Sequence, residues 1–183
     1  FDNSAGNSGE RPDSVTDQSI VLVGLMGVGK TTVGRRLAKQ LGLGFVDADE
    51  EIEQAAGLTV EEIFDRFGED YFRDGERRVI ARLIEGKRQV IATGGGAFMN
   101  EETRALILQK AVAIWLDADI DTLVKRVSRR NTRPLLKSGD PATILADLAT
   151  KRNPVYATAH IHIMGNDSPH EITVDKIIKA LQR

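Results

Sequence analysis

Cysteine is absent from the 183 residues of this chain. Without a thiol, the chain can form neither a disulfide bond nor a thiolate metal site. A chain without disulfides is compatible with a reducing compartment, and we expect a cytoplasmic protein.

Long apolar runs and a large net charge are also lacking. No stretch approaches the roughly 20 apolar residues that cross a membrane as a helix, so we expect no membrane partner. The formal net charge is −2, which leaves no overall basic surface for nucleic acid. The remaining composition, with 41% hydrophobic and 28% charged residues, is typical of one globular domain.

The beginning of the chain is rich in Ser, Asn, Asp and Gly and has almost no apolar content. Such a segment buries too little apolar surface to fold, so we expect a flexible tail over residues 1–18. The folded domain is expected over residues 19–183.

A glycine-rich stretch, Gly24–Thr31, fits the phosphate-loop pattern G-x-x-x-x-G-K-[ST]. The aliphatic run 20–23 before it predicts a strand buried on both faces. After it, Val33, Leu37 and Leu41 recur at helical spacing. Strand, loop and helix follow in the order that a phosphate site needs, which argues against a chance glycine turn.

This loop is predicted to bind the phosphates of a nucleotide. Its glycines allow backbone N–H groups to turn inward, and the following helix adds the partial positive charge of its N-terminus. Lys30 would reach the β- and γ-phosphate oxygens, and the Thr31 hydroxyl would bind Mg²⁺.

Two acids close the second predicted strand, residues 44–49. Asp47 and Asp49 are two positions apart, so they face the same side while the chain stays extended. Ligands of open α/β sheets bind beyond the ends of the strands, which predicts a position beside the phosphate loop. The alternative is that Asp49 merely caps a helix starting at Glu50.

Three helices are predicted between residues 50 and 85. The first covers residues 50–56, and Thr59 with Glu62 forms a capping box for the second. The apolar face of the second is expected to comprise Ile63, Phe64 and Phe67. The third covers residues 69–85, and its inward positions are expected to be Phe72, Val79, Ile80 and Leu83. Its charged residues are expected mainly to form a solvated face, but we single out Arg73, which follows an aromatic pair.

Three consecutive glycines, Gly94, Gly95 and Gly96, follow the third predicted strand, residues 89–93. A glycine run costs conformational entropy. It is expected where a ligand approaches the backbone closely, and a loose turn is the alternative.

A basic, proline-interrupted segment over residues 129–140 carries Arg133. We expect a lid that closes over the site and brings arginine onto transferring phosphates. A solvated basic loop is the alternative.

The rest of the chain continues to alternate between strands and helices. Strands are predicted at 111–116 and 160–163, and helices at 101–109, 119–128, 141–158 and from 168. Trp115 is expected in the core, and His160 and His162 are interpreted as strand surface rather than zinc ligands. The last helix is expected to turn inward Ile172, Ile177, Ile178 and Leu181. This alternation predicts an α/β fold with a parallel sheet covered by helices on both faces.

Taken together, these motifs resemble the shikimate kinases over nearly all of the chain after the tail. The family combines the phosphate loop with D-x-D, F-R, G-G-G, R-P-L-L and K-R-x-P-x-Y. Here these motifs are Gly24–Thr31, Asp47 with Asp49, Phe72-Arg73, Gly94–Gly96, Arg133–Leu136 and Lys151–Tyr156. Each motif is short, but their order and spacing together are highly specific.

The resemblance implies a three-layer P-loop kinase fold, with five parallel strands in the order 2-3-1-4-5 and a lid. It implies transfer of the γ-phosphoryl group of ATP to the 3-hydroxyl of shikimate, on the pathway to the aromatic amino acids. The implied cofactor is Mg²⁺, the implied ligands are ATP and shikimate, and the implied assembly is a monomer.

The resemblance also implies roles for individual residues. Those implied for ATP are Gly27, Val28, Gly29, Lys30, Thr31, Thr32, Arg126 and Arg133, with Arg126 stacked on adenine. Those implied for shikimate are Asp49, Arg73, Gly94, Gly95, Gly96, Arg152, Phe64 and Phe72. Asp49 is the implied base, and Lys30 and Arg133 complete the catalytic set. Arg73 and Arg152 are implied to bind the carboxylate, and Thr31 with Asp47 to hold Mg²⁺.

Two alternative functions are kept beside shikimate phosphorylation, and one segment of the chain differs from the family pattern. A gluconate-kinase-like enzyme shares the fold and the phosphate loop, but it is not expected to combine Asp47 and Asp49 with Arg73, Gly94–Gly96 and Arg152. A nucleotide-binding module without catalysis is the alternative from another class. The segment 165–169 departs from the family pattern, because it lacks the arginine that many relatives carry before a proline.

Overall fold

This computed structural model describes residues 17–129 and 139–183. Almost all of the predicted tail and most of the predicted lid, including Arg133, lie outside the described residues. The two expectations for these segments therefore stay predictions.

Within the described residues, five parallel strands form one sheet. They are β1 (Ile20–Val23), β2 (Gly44–Asp47), β3 (Gln89–Ala92), β4 (Val112–Asp117) and β5 (Ile161–Met164). Their order across the sheet is β2-β3-β1-β4-β5, and each neighbouring pair is parallel. The predicted strand order is confirmed.

The same ranges contain eight α-helices. They are α1 (Lys30–Leu41), α2 (Ala48–Ala56), α3 (Val60–Phe67), α4 (Glu69–Glu85), α5 (Glu101–Lys110), α6 (Ile120–Ser128), α7 (Pro141–Tyr156) and α8 (His170–Leu181). A short 3-10 helix, Ala97–Met99, follows the three glycines. No helix in the described ranges has both the length and the apolar content needed to span a membrane.

The central strands are buried on both faces. Every residue of β1 has no exposed surface, and all four residues of β3 are buried. Because successive side chains of a strand point to opposite faces, helices must cover both sides of the sheet. Trp115 in β4 lies in the core as expected.

The register of the strands brings three segments to one edge of the sheet. Leu22 of β1 pairs with Ala92 of β3, and Ala92 also pairs with Asp47 of β2. Parallel strands end at the same edge, so the residues that follow them leave the sheet side by side. The phosphate loop, the two acids and the glycine triplet are the segments that meet there.

The boundary between β2 and α2 differs from the prediction. Asp47 is the N-cap, and its Oδ1 accepts hydrogen bonds from the backbone N–H groups of Asp49 (2.9 Å) and Glu50 (3.4 Å). The helix therefore begins at Ala48, and the expectations that Asp49 is extended or acts as the cap are wrong. Asp47 is the N-cap because its carboxylate accepts hydrogen bonds from N–H groups that have no helical partners in the first turn.

Two helix faces also differ from the prediction. Phe67 is the last residue of α3 and is 51% exposed, and its ring contacts that of Tyr71 in a tilted pair with centroids 4.6 Å apart. Ile172 lies in the first turn of α8 and is 45% exposed, whereas Ile177 is buried as expected. Both errors fall at helix ends, where a side chain extends past the neighbouring core.

The predicted strand surface is confirmed for both histidines. His160 lies just before β5, and its Nδ1 accepts the Ala113 N–H at 2.9 Å. His162 stacks on Trp115 with ring centroids 3.9 Å apart and contacts Asp117. Both residues are exposed.

Candidate active site

The phosphate loop connects β1 to α1 through three glycines with positive φ. The φ values are +146° at Gly24, +82° at Gly27 and +98° at Gly29, and side-chain-bearing residues rarely adopt them. Lys30, the first residue of α1, folds its side chain back over the loop. Its Nζ donates to the carbonyl oxygens of Gly24 and Leu25.

A cavity of about 300 Å³ opens beside this loop. It is lined by Gly27, Gly29, Lys30, Thr31, Thr32, Asp47, Asp49, Thr93, Gly94, Gly95, Arg126, Val127, Arg129 and His170. The structure therefore brings most of the predicted nucleotide residues together with the predicted base, Asp49. We call this space the phosphate cavity.

Thr31 and Asp47 are close enough to interact across the phosphate cavity. The Thr31 hydroxyl donates to Asp47 Oδ2 at 3.4 Å, while the other carboxylate oxygen holds the start of α2. The cap thus fixes the orientation of Asp47 and directs its second oxygen toward Thr31.

A second cavity, of about 480 Å³, lies on the other side of the glycine triplet. It is lined by Glu69, Asp70, Arg73, Asp74, Arg77, Gly96, Met99, Asn100, Glu102 and Arg152. We call it the carboxylate cavity, because it contains the two arginines predicted to bind a carboxylate. Arg73 comes from α4 and Arg152 from α7, so only the tertiary fold brings them together.

The glycine triplet touches three predicted site residues, one for each glycine. A Cβ added at Gly94 would lie 2.9 Å from Asp49 Oδ1, and one at Gly95 would lie 3.0 Å from Arg152 Nη1. A Cβ at Gly96 would overlap the Arg73 guanidinium. Because these three residues have no side chains, Asp49, Arg152 and Arg73 can lie directly against the backbone. The sequence pattern predicts that a ligand, rather than the protein's own side chains, approaches the backbone here.

Sequence reasoning missed Glu76. This residue is 1% exposed, so it is not part of the solvated face expected for α4. Its Oε1 accepts from Arg73 Nη1 at 2.8 Å, and its Oε2 has no hydrogen-bond partner among the described residues. A signal was present, because Glu76 follows Phe72 by four positions and precedes Val79 by three. That spacing is the helical period of the buried face.

Burial raises the pKa of Glu76 to about 7, although the charge and hydrogen bond of Arg73 act in the opposite direction. The charge of Asp49 adds to the rise. Desolvation outweighs the ion pair because the carboxylate has lost nearly all contact with water. The site thus contains a buried carboxyl group that takes up a proton more readily than an ordinary glutamate.

The two predicted aromatic residues pack against each other. The rings of Phe64 and Phe72 have centroids 4.6 Å apart and belong to a small apolar cluster with Ile52 and Ile63. Neither phenylalanine is among the described side chains that line the two cavities. Their predicted contact with substrate stays a prediction.

The nucleotide end of the phosphate cavity joins α6, α8 and the loop. Arg126 Nη1 donates to the Val28 carbonyl at 2.9 Å, and its Nη2 donates to the Asn166 carbonyl at 3.0 Å. His170 also lines this end, and its ring lies 3.0 Å from where a Cβ on Gly29 would be. Sequence reasoning did not predict this position of His170.

The strand order and a phosphate loop between β1 and α1 define the class of protein, a P-loop kinase fold. The family model described as shikimate kinase matches residues 26–182. A curated shikimate kinase from Novosphingobium aromaticivorans is 56% identical over 168 residues, which cover 90% of this chain and 87% of the relative. The chain therefore belongs to the shikimate kinase family.

Solved structures agree with this assignment. A shikimate kinase from Acinetobacter baumannii in complex with shikimate superposes with a TM-score of 0.86 at 39% identity, covering 91% of this chain and 94% of that one. A gluconokinase from Sinorhizobium meliloti superposes with a TM-score of 0.63 at 18% identity, covering 91% and 93%. The second likeness shows the fold alone, so nothing in it favours gluconate as a substrate.

Proposed function

We propose that this chain transfers the γ-phosphoryl group of ATP to the 3-hydroxyl of shikimate. The observation that carries the proposal is the order in which the charged and polar groups follow one another along the site. Lys30 and Thr31 lie at one end, Asp49 lies beside Gly94, and Arg73 and Arg152 lie beyond the glycine triplet. A small polyol acid bound across the triplet would direct its carboxylate to the arginines and a hydroxyl to Asp49.

At the nucleotide end, backbone N–H groups from Gly27 to Thr32 would surround the phosphates. Lys30 would exchange its contacts with the loop carbonyls for the β- and γ-phosphate oxygens, which are stronger acceptors because they are charged. Arg126 lines this end and would pack on the adenine.

At the acceptor end, Arg73 and Arg152 present forked donors that match the two oxygens of a carboxylate. Arg73 Nη1 donates a hydrogen bond to Glu76 Oε1 at 2.8 Å, which fixes the position of the guanidinium. Gly94 and Gly95 line the phosphate cavity, and the absence of their side chains lets Asp49 and Arg152 approach the backbone where the acceptor would bind.

The chemical step joins the acceptor oxygen to the γ-phosphorus and breaks the bond from that phosphorus to the bridging oxygen of ADP. Asp49 would accept the hydroxyl proton, and Lys30 would offset the negative charge on the phosphates. Arg133, which lies outside the described residues, would add a second cation from the lid. Closing the lid would keep water from competing as the acceptor.

The residues present fit a magnesium ion held mainly by phosphate and water. The described residues contain no group of three or more His, Cys, Asp or Glu that could hold a metal ion by themselves. Thr31 Oγ1 and Asp47 Oδ2 nevertheless lie 3.4 Å apart at the phosphate cavity, and Mg²⁺ bound to nucleotides takes only one or two protein ligands. When bound, the ion would neutralise phosphate charge, with Thr31 as a direct ligand and Asp47 acting through water.

The remaining expectations belong to the same proposal. We propose that the enzyme is a cytoplasmic monomer, with a tail over residues 1–18 that takes no part in catalysis. Size-exclusion chromatography with light scattering would test the assembly.

The proposed reaction is tested by Mg²⁺-dependent release of ADP from ATP. Shikimate, gluconate, AMP and no acceptor are compared side by side. Release with shikimate alone is the expected result. Release with gluconate or AMP at a comparable rate would contradict the proposed acceptor.

A further inference from the structure

The last residue of α7, Tyr156, is fully buried although it ends in a polar hydroxyl. Its ring lies between Phe98 and Trp115, with centroid separations of 6.4 and 6.0 Å. Burying a phenol is unfavourable unless its hydroxyl has a partner. The partners of this hydroxyl therefore determine what the residue does.

The Tyr156 hydroxyl donates to the backbone carbonyl of Gly95, the middle glycine of the triplet. Burial raises the pKa of Tyr156 to about 12, so the phenol keeps its proton and remains a donor at neutral pH. The Arg152 side chain acts on the same phenol through its charge and a side-chain hydrogen bond. One hydroxyl is thus connected to the glycine triplet and to an arginine of the carboxylate cavity.

These three residues come from two separate parts of the fold. Gly95 follows β3, whereas Arg152 and Tyr156 lie one turn apart on α7. The Arg152 Nη1 lies so close to Gly95 that an added Cβ would be only 3.0 Å away. The Arg152 guanidinium lies against the backbone of the triplet, so its position is defined only while the separation between α7 and the triplet stays fixed.

We propose that Tyr156 is a positioning residue for the acceptor's carboxylate, because it holds Gly95 and Arg152 in one arrangement. This inference rests on the proposed function and deepens it. Tyr156 touches no reacting atom, and its effect on the substrate passes through Arg152.

The competing explanation is that Tyr156 only fills the core between Phe98 and Trp115. Tyr156→Phe separates the two explanations, since it keeps the ring and removes the hydroxyl. The chain offers a matched control in Tyr71→Phe, because Tyr71 is the other tyrosine and is 59% exposed.

We expect Tyr156→Phe to raise the KM and the Kd for shikimate about tenfold, in line with the loss of one hydrogen bond that orients a charged group. The KM for ATP and kcat are expected to stay within about twofold, because Tyr156 is proposed to act on the acceptor's carboxylate rather than on the transferring phosphate. Tyr71→Phe is expected to leave all these constants unchanged. An unaltered shikimate Kd in Tyr156→Phe would overturn the inference.

A neutral ligand gives the sharper test. The Kd values of shikimate and of its carboxamide are measured by calorimetry on the wild type and on Tyr156→Phe. The variant is expected to weaken shikimate selectively, since the carboxamide has no charge for Arg152 to bind. Equal weakening of both ligands would mean general loosening of the core and would overturn the inference.

A double-mutant cycle links the effect to the arginine. In an Arg152→Ala background, Tyr156→Phe is expected to weaken shikimate no further, and a full additive loss would count against the inference. If Tyr156→Phe does not fold, Gly95→Ala replaces it, because its Cβ would displace Arg152. Gly95→Ala is expected to weaken shikimate selectively, and equal weakening of both ligands would again count against the inference.

The same experiments distinguish failure of the inference from failure of the proposed function. A wild-type protein that binds no shikimate would overturn the proposed function itself. Wild-type binding that Tyr156→Phe leaves intact overturns only the role of Tyr156.

Discussion

The phosphate loop is one continuous segment, whereas the acceptor side of the site is assembled from four. Gly24–Thr31 carries its contacts mainly on the backbone of a single loop. The acceptor side takes Asp49 from α2, Arg73 from α4 and Arg152 from α7, and all three meet the glycine triplet after β3. A backbone site of this kind tolerates changes of side chain at most positions other than Lys30 and Thr31, whereas an assembled site depends on each side chain keeping its position.

This comparison predicts different losses on the two sides. Changes at the phosphate loop should reduce kcat, since they act on the transferring group. Changes at the arginines should mainly raise the KM for shikimate.

The largest effect is expected for Lys30→Met, which removes the cation nearest the transferring phosphate. We expect kcat to fall about 1,000-fold, with a melting temperature close to that of the wild type. Lys39→Met, on the exposed side of the same helix, is the control and should keep full activity. Activity within a few-fold of wild type would contradict the role of Lys30.

Asp49→Asn should reduce kcat about 100-fold or more, because an amide cannot accept the hydroxyl proton. Asp49 lies on the boundary between the two sides, so the shikimate KM should also rise a few-fold. Steady-state kinetics measure both constants. Asp65→Asn, an exposed aspartate of α3, is the control. A rise in KM with kcat unchanged would mean that Asp49 binds the acceptor but is not the base.

Arg152→Ala should raise the shikimate KM about 50-fold and leave the ATP KM unchanged. It leaves the bound carboxylate without one of its two charged partners. The neighbouring Lys151→Ala is exposed and should have no effect. An unchanged shikimate KM would remove Arg152 from the carboxylate cavity.

Gly96→Ala should raise the shikimate KM about tenfold, because the new Cβ would displace the Arg73 guanidinium. Its φ of −96° is open to alanine, so the effect reports on Arg73 rather than on backbone strain. Gly75→Ala is the matched control, since its Cβ would meet no atom within 4 Å. That variant should keep its activity and gain about 0.5–1 kcal/mol in free energy of unfolding. Equal kinetics in both variants would refute the steric role.

Glu76→Gln should change the pH dependence of stability. The pKa of Glu76 is raised from 4.5 to about 7 in the folded protein, so the folded state keeps a proton that the unfolded chain releases. Its contribution to stability is complete below about pH 4.5 and is lost as the pH rises through about 7.

We expect the wild type to lose on the order of 1–3 kcal/mol of unfolding free energy between pH 4.5 and 7.5 that Glu76→Gln does not lose. Denaturant unfolding at several pH values measures this difference. Glu69→Gln is the control, because Glu69 contacts the same Arg73 at 3.7 Å but is 69% exposed. Parallel curves for wild type and Glu76→Gln would contradict the expectation.

Much of the fold was predictable because its signals are local. The phosphate loop, the capping box at Thr59 and the alternation of strands and helices each occupy a short window of sequence. The errors at Asp47, Phe67 and Ile172 all fall at element ends, where one residue's geometry decides between two close alternatives. Glu76 was predictable from helical spacing as a buried residue, but its partner and its raised pKa were not.

The sequence by itself determined the α/β class, the position of the phosphate loop and the identity of the arginines and aspartates available to the site. Only the tertiary structure decided that Asp49, Arg152 and Arg73 each approach a different glycine of one triplet, and that Tyr156 reaches Gly95. The physical reason is the separation in sequence between the residues that interact. A turn or a cap depends on neighbours in the chain, whereas these contacts join residues up to 61 positions apart and exist only once the sheet and helices have packed.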